Sequence, residues 1–319
     1  MTHSRGSSRE NRTLALVAGL LAGCGSASSG TAGPATGADA ATGADAATGA
    51  DAASGPASSC IDVGATASLC PSNPSLPSVM DLSGTWVLET IGAQVVTTPA
   101  FAQPFRLKSV NVLLAQVVQT RSDVALSASY CDRIQHDDPN NPAKVVVPDA
   151  WRLTPAPLER SGSFAPDDSG QLTLTLPTLI EVFGATLSDP ACDALPVDAN
   201  DPRLVDTDND GFLGITVDLS GLISGTLRSV QRQATALHGM VVAVDPVRVE
   251  GGMAYESDQS VFASDPPNIK ILYTGSTASA DPTACSSTFV MVKVPEAADA
   301  GVVDCDWVRA NEVFLGLVP

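Results

Sequence analysis

Apolar and polar residues alternate along most of the chain after residue 80. The alternation is without error over residues 172–176 (Leu-Thr-Leu-Thr-Leu), and it recurs over residues 124–130 and 215–219. A period of two places successive side chains on opposite faces, so each segment is predicted to be a strand with one face in water. Further predicted strands are residues 84–91, 110–119, 179–186, 225–237, 247–255, 269–274, 288–294 and 307–317.

Clusters of Pro, Gly, Asp and Asn separate these segments, for example at residues 137–142, 165–170 and 265–267, and such clusters are typical of turns. No long window carries a stripe with the 3.6-residue period, so little helix is expected, and residues 222–237 are where helix is hardest to exclude. Antiparallel strands without helices to cover them must close on themselves or stack. The pattern therefore predicts an all-β fold, either an antiparallel β-barrel or a barrel-like sandwich, in one domain over residues 81–319.

The composition limits the partners of this domain. The chain has 35 acidic and 17 basic residues, which gives a formal net charge of −18. Because phosphate binding needs a basic patch, nucleic acid is not an expected partner. The acidity instead favours solubility and cation binding, and a hydrophobic content of 44% supplies enough apolar surface for a core.

The N-terminal segment has the order of a secretory signal. A basic stretch with Arg5, Arg9 and Arg12 precedes an apolar stretch at residues 13–22, as in secretory signals. The apolar stretch is too short to span a bilayer, which needs about 20 such residues. We therefore expect an exported protein.

The end of this segment, Leu21-Ala22-Gly23-Cys24, resembles the lipobox of bacterial lipoproteins. The resemblance implies a signal peptide over residues 1–23, cleavage before Cys24, and acylation of Cys24 that ties the mature chain to a membrane. Gly25 in place of an Asp implies the outer membrane, with the domain on its periplasmic or extracellular face. The alternative is an ordinary signal peptide that happens to contain a cysteine.

Residues 24–59 consist almost wholly of Gly, Ser, Ala, Thr and Asp, and the hexapeptide Ala-Thr-Gly-Ala-Asp-Ala repeats there from Ala35, Ala41 and Ala47. Such a segment has no large apolar side chain to bury, so it is predicted to be a flexible linker. Residues 60–80 contain Cys and Pro and are predicted to be a loop-like lead-in to the β domain.

The cysteines indicate a disulfide framework. If Cys24 carries lipid, six of the seven cysteines remain, an even number in an oxidising compartment. Six cysteines allow many connectivities, and the sequence does not choose among them. Pairing the nearest cysteines in sequence would join Cys60 to Cys70 and Cys285 to Cys305, which leaves Cys131 for Cys192.

Residues 206–212 (Asp-Thr-Asp-Asn-Asp-Gly-Phe) form a candidate metal-binding loop. Asp206, Asp208 and Asp210 stand at alternate positions, and the following Gly allows the sharp turn that would bring three carboxylates to one cation. Phe212 can add its backbone carbonyl. The alternative interpretation is an acidic surface turn without an ion.

This loop resembles the first half of an EF-hand calcium loop and the D-x-D-x-D-G repeats of dockerins and thrombospondin-like modules. The bidentate Glu of an EF-hand would fall at Val217, and Asp218 could substitute for it. The resemblance implies a structural Ca²⁺ with a dissociation constant of about 10⁻⁴ to 10⁻³ M, as in extracellular modules.

Gly84-Thr85-Trp86 resembles the G-x-W start of lipocalins. The resemblance implies an eight-stranded barrel closed at one end by Trp86, with an arginine from the last strand nearby, for which Arg309 is the counterpart. The alternative is a Trp that simply fills a core. Together, the start Leu-Ser-Gly-Thr-Trp and the acidic loop resemble acidic surface lipoproteins of high-GC Gram-negative bacteria, a family that implies a fold but no known activity.

No catalytic residues are predicted. The only histidines after the signal are His136 and His238, and no G-x-S-x-G, S-x-x-K or H-E-x-x-H motif accompanies them. The expected function is therefore non-enzymatic: a calcium-stabilised binding or structural module on the cell envelope, for a small apolar ligand or an envelope protein. The alternative is an envelope hydrolase whose site is built from scattered loop residues.

Overall fold

The computed structural model describes residues 61, 67, 70, 80–139, 141, 143–153, 156–295 and 303–316. The predicted signal peptide (1–23), the lipidation site at Cys24 and the linker (24–59) lie outside the described residues, as does most of the lead-in.

The described chain is an all-β fold, as the alternation predicted. Its strands are β1 (Gly84–Thr97), β2 (Phe105–Thr120), β3 (Asp123–Asp137), β4 (Ala143–Val146), β5 (Leu158–Pro166), β6 (Leu172–Phe183), β7 (Ile215–Gly221), β8 (Gly225–Val244), β9 (Val247–Asp265), β10 (Thr277–Ala280) and β11 (Thr288–Lys293). The helices are α1 (Asp149–Leu153), α2 (Ile269–Tyr273) and α3 (Cys305–Leu315).

Eight strands form a ring of hydrogen bonds. In chain order β1, β2, β3, β5, β6, β8, β9 and β11 each pair antiparallel with the next, and β11 pairs back to β1. β4 and β7 extend the sheet beside β8, and β10 lies against β1. The arrangement is a barrel-like sandwich, within the fold class that the sequence predicted.

The alternation of each strand divides the ring into an inner and an outer face. Trp86 and Leu88 point into the main apolar core, whereas Val87 belongs to a separate outer cluster. Trp86 is fully buried, and its indole Nε1 donates a hydrogen bond to the Leu82 carbonyl at 2.7 Å. The end of the ring where β1 begins is therefore filled by side chains around Trp86.

The prediction of a strand at residues 307–317 was wrong, because this segment forms α3. Asp304 begins the helix: its carboxylate accepts the backbone N–H of Trp307 at 2.9 Å, which is the contact of an N-cap. Val308 is fully buried in the outer cluster with Val87 and Val112. The segment is a helix that is capped by Asp304 and covers the outer cluster with Val308.

Residues 269–274 were also predicted to be a strand, and they form α2 instead. The backbone N–H of Ile269 bonds to the Pro266 carbonyl at 3.1 Å, and that of Lys270 bonds to Ser264 Oγ at 2.9 Å. The apolar run is short enough to fit either structure, and the chain after Pro267 turns into one helical turn that buries Ile269.

The place of Arg309 on α3 corrects the lipocalin-based expectation for this residue. Its guanidinium donates to the Cys131 carbonyl at 2.8 Å and pairs with Asp306. These contacts lie with α3 on the outer face, whereas Trp86 fills the inner core. Arg309 is therefore not an arginine of a last strand.

The disulfides join residues far apart in sequence, so the pairing of nearest cysteines was wrong. Cys70 bonds to Cys285, and Cys131 bonds to Cys305; Cys192 is also disulfide-bonded. Cys131 is the extra residue of a bulge in β3, where Tyr130 pairs with Leu113 and Asp132 pairs with Val112. The helix α3 packs over this strand and brings Cys305 to it.

Candidate metal centre and inner cavity

The acidic loop 206–212 is closed by backbone contacts at its base. Asp206 and Gly214 form an isolated parallel bridge, and the N–H of Thr207 bonds to the Gly214 carbonyl at 3.2 Å. Asn209 and Gly211 have positive φ angles of 55° and 90°, which Asn and Gly adopt more readily than other residues. The loop therefore turns tightly and directs its acidic side chains inward.

Three carboxylates meet inside this loop. One oxygen from each of Asp206, Asp208 and Asp210 lies within 4.8 Å of the others. The carboxylate of Asp206 accepts the backbone N–H groups of Asp210 and Gly211 at 3.2 and 3.0 Å. Spacing of this kind brings hard oxygen donors together, so the cluster can hold a metal ion.

Asp208 is the buried member of the cluster, with an exposed fraction of 2%. Its Oδ2 accepts the Thr216 backbone N–H at 2.9 Å, and its Oδ1 is buried without a hydrogen-bond partner. Burial raises the pKa of the Asp208 carboxyl, and the charge of Asp210 adds to this, while the hydrogen bond from Thr216 opposes it. A cation would supply the partner that the buried oxygen lacks.

Of the other two predicted metal ligands, Phe212 lies next to these carboxylates and Asp218 lies outside their cluster. The Phe212 N–H donates to Asp210 Oδ1 at 2.8 Å, and its half-exposed ring lies 3.6 Å from the guanidinium of Arg228. Asp218 is on β7, is not part of the three-carboxylate cluster, and accepts a hydrogen bond from Thr226 Oγ1 at 2.9 Å.

A cavity of about 130 Å³, which we call the inner cavity, is lined by strands of the ring together with β4, β7, β10 and α1. It lies toward the end of the ring opposite Trp86, since its lining includes Gln94 and Val96 from the last part of β1. Apolar side chains from β2, β7, β8 and β9 supply much of its wall: Phe105, Leu107, Val217, Leu219, Leu227 and Val261. Trp86 is not among the described residues that line this cavity.

Arg133 is a buried charged residue in the wall of the inner cavity, and sequence reasoning missed it. The side chain is 5% exposed, and its guanidinium carbon lies 4.1, 4.9 and 4.7 Å from the ring centroids of Tyr130, Trp151 and Phe183. Its Nε and Nη2 are buried without hydrogen-bond partners, as is Nε1 of Trp151. The sequence signal that could have identified Arg133 is its position on β3, where the alternation of the strand places it on the inner face.

A polar network lies beside the inner cavity, which Gln233 also lines. Glu181 accepts hydrogen bonds from the Tyr130 hydroxyl at 2.6 Å and from Gln233 Nε2 at 2.8 Å. Arg160 donates to the backbone carbonyls of Thr235 and Pro177. Burial lowers the pKa of Arg160 to about 10, against the opposing charge of Glu181. Glu181, Tyr130 and Gln233 thus have partners in this network, whereas Arg160 keeps one unpartnered donor, Nε, and Arg133 keeps two.

The two histidines do not meet at the inner cavity. His136 is exposed on β3, and His238 is half-buried on β8 between Thr175 and Gly252 of the neighbouring strands. Neither is among the described residues that line the inner cavity.

Comparison of the chain with protein-family models, with curated proteins and with solved structures finds no match. No helix among the described residues is both long and apolar enough to cross a membrane.

Proposed function

We propose that this chain is a lipid-anchored cell-envelope protein whose β domain binds a small, largely apolar ligand and is stabilised by calcium. The observation that carries the binding role is the inner cavity. An engineered cavity of about 150 Å³ in another protein binds benzene, so a space of about 130 Å³ suits a ligand of similar size. The apolar part of the wall would bury the body of such a ligand, and the polar groups of the wall would orient it.

Calcium is the proposed ion of the acidic loop. Its side-chain ligands are Asp206, Asp208 and Asp210, whose oxygens lie within 4.8 Å of one another, with the Phe212 carbonyl as a backbone ligand and Asp218 as the most distant contributor. Carboxylate and carbonyl oxygens are the donors that calcium prefers. The unpartnered buried oxygen of Asp208 supports an ion at this position over an acidic turn alone.

The anchor rests on the lipobox-like residues that end at Cys24, with the outer membrane as the proposed destination. Membrane fractionation of the full chain and of a Cys24→Ser variant tests this part of the proposal. We expect the full chain in the outer-membrane fraction and the variant in the soluble fraction. Equal partitioning of the two proteins between the fractions would contradict the proposed lipid anchor.

Ligand binding can be tested with benzyl alcohol, a neutral probe of suitable size, by isothermal titration calorimetry on the chain that carries Cys24→Ser. Ala278 lines the inner cavity from β10, and Ser279 faces the other way on the same strand. We expect benzyl alcohol to bind, Ala278→Phe to abolish the binding heat, and Ser279→Phe to preserve it. The absence of binding to the parent protein, or equal binding by both variants, would refute the proposed use of this cavity.

A further inference from the structure

The chemistry of the inner cavity indicates the class of its ligand, an inference that rests on the proposed binding function. Arg133 presents Nε and Nη2 without partners, and Trp151 presents Nε1 without one. All three atoms are hydrogen-bond donors and none can accept. Buried donors left without acceptors cost free energy, so a ligand that supplies acceptor oxygens would be favoured here.

The charge balance around the inner cavity favours an anion. Arg133 and Asp258 are the charged residues among the described residues that line it, and Asp258 is bonded to Arg232 at 2.8 Å. No carboxylate oxygen of the described residues lies within 4.0 Å of the Arg133 guanidinium. A chain with a net charge of −18 thus holds an arginine without an ion-pair partner inside its ring of strands.

The nearby acidic side chains are engaged elsewhere. Both oxygens of Glu181 accept hydrogen bonds, one from Tyr130 and one from Gln233. Glu89 alternates with the inward residues Leu88 and Thr90 on β1, and so points to the outer face. Asp132 precedes Arg133 on β3 and pairs with Arg152 at 3.1 Å. The positive charge of Arg133 therefore remains available to a ligand.

Aromatic rings fix the position of this charge. The rings of Tyr130, Trp151 and Phe183 lie within 4.9 Å of the guanidinium carbon, which limits the rotation of the side chain. A planar guanidinium with free, fixed donors matches the two oxygens of a carboxylate better than a mobile ammonium would. The residues beyond it are apolar: Val217, Leu219 and Leu227.

We propose that the inner cavity binds a small monocarboxylate with an apolar body. The carboxylate accepts hydrogen bonds from Arg133 Nε and Nη2 and from Trp151 Nε1. The body, with about six to eight carbon atoms by comparison with a cavity that holds benzene, lies against Val217, Leu219 and Leu227. Aromatic and short aliphatic acids share this chemistry.

The test compares benzoate with benzyl alcohol, which share a ring and differ in charge, by isothermal titration calorimetry on the Cys24→Ser chain. We expect benzoate to bind roughly tenfold or more tightly than benzyl alcohol, because hydrogen bonds to charged groups are the stronger ones. Arg133→Met should remove this preference and still bind benzyl alcohol. Trp151→Phe, which keeps the ring and loses Nε1, should weaken benzoate alone.

Arg106→Met is the matched control. Arg106 alternates with the lining residues Phe105 and Leu107 on β2, and its side chain is 61% exposed, so its loss should leave the benzoate preference unchanged. Equal binding of benzoate and benzyl alcohol by the parent protein would overturn the carboxylate proposal alone. Binding of neither compound would overturn the binding function as well. A preference that survives Arg133→Met would overturn the role of Arg133.

Discussion

Asp208 is the most buried carboxylate of the acidic loop's cluster. Its carboxylate is buried, and one oxygen lacks a partner, so ionisation costs free energy unless a cation is present. Burial raises the pKa of the folded carboxyl above its ordinary value of 3.8. At a pH below the pKa values of both the unfolded and the folded chain, Asp208 is neutral in both states. At a pH above both pKa values, the folded protein carries the full free-energy cost of the buried charge.

Without metal, we expect the free energy of unfolding of the parent protein to fall relative to that of an Asp208→Asn variant as the pH rises. The fall should begin near the ordinary pKa of 3.8 and be complete above the raised pKa of the folded carboxyl. Urea unfolding of both proteins in chelator, from about pH 3 to pH 8, measures this difference. Asp168→Asn is the control, because Asp168 is exposed in another acidic turn. A difference that stays flat over this range would contradict the raised pKa.

Calcium should reverse this effect at neutral pH. At 100 times its dissociation constant it should raise the free energy of unfolding of the parent protein by about 2.7 kcal/mol. Asp208→Asn should lose this gain, and Asp168→Asn should keep it. An equal gain in all three proteins would place the ion elsewhere.

Local spacing explains why these aspartates could be predicted and Arg133 could not. Asp206, Asp208 and Asp210 lie within five residues of one another, so a tight turn is sufficient to bring them together. The surroundings of Arg133 come from β3, α1 and β6, through Tyr130, Trp151 and Phe183. Such contacts depend on strand pairing that the sequence alone does not specify.

The helix α3 is held to the outer face by apolar packing, which includes Val308 and Trp307, and by one covalent bond. Val308 is fully buried against the outer cluster, and Cys305 is bonded to Cys131 of β3 across 174 residues of sequence. Arg309 of α3 also donates a hydrogen bond to the Cys131 carbonyl. The disulfide therefore contributes strongly to keeping the helix in place.

Replacing Cys131 and Cys305 together by Ala should lower the free energy of unfolding by about 2–4 kcal/mol, the usual contribution of a disulfide. It should also speed trypsin cleavage after Arg309, since α3 would open locally. Replacing Cys70 and Cys285 by Ala is the matched control, which should lower stability without exposing Arg309. Equal cleavage rates in the two variants would show that the Cys131–Cys305 bond does not hold α3.

The elements that the sequence predicted are those whose own alternation specifies them. The strands around Trp86, Leu174 and Val217 fall on predicted segments because inward residues recur with a period of two. The helices α2 and α3 were missed because their apolar runs are short and their helical state depends on local caps and on the faces they cover. The N-cap at Asp304 and the glycine that directly follows the helix, Gly316, are the signals in the sequence for α3.

The strand β7 links the acidic loop to the inner cavity. Thr216 is hydrogen-bonded to Asp208 through its backbone N–H and to Asp210 through its hydroxyl. The residues that follow on the inner face of the same strand, Val217 and Leu219, line the cavity. An ion in the loop would thus fix the strand that forms one wall of the proposed binding site.

Calcium and benzoate should therefore bind cooperatively. A coupling in the usual range of allosteric systems is about 5- to 150-fold, so calcium should tighten benzoate binding by a factor within that range, and benzoate should tighten calcium binding equally. Titrations of each compound with and without the other, on the Cys24→Ser chain, measure both factors. Asp208→Asn should abolish the calcium effect and leave the calcium-free benzoate affinity unchanged, whereas Asp168→Asn should preserve the coupling. If calcium raises the melting temperature but leaves the benzoate affinity unchanged, the ion stabilises the loop without acting on the cavity through β7.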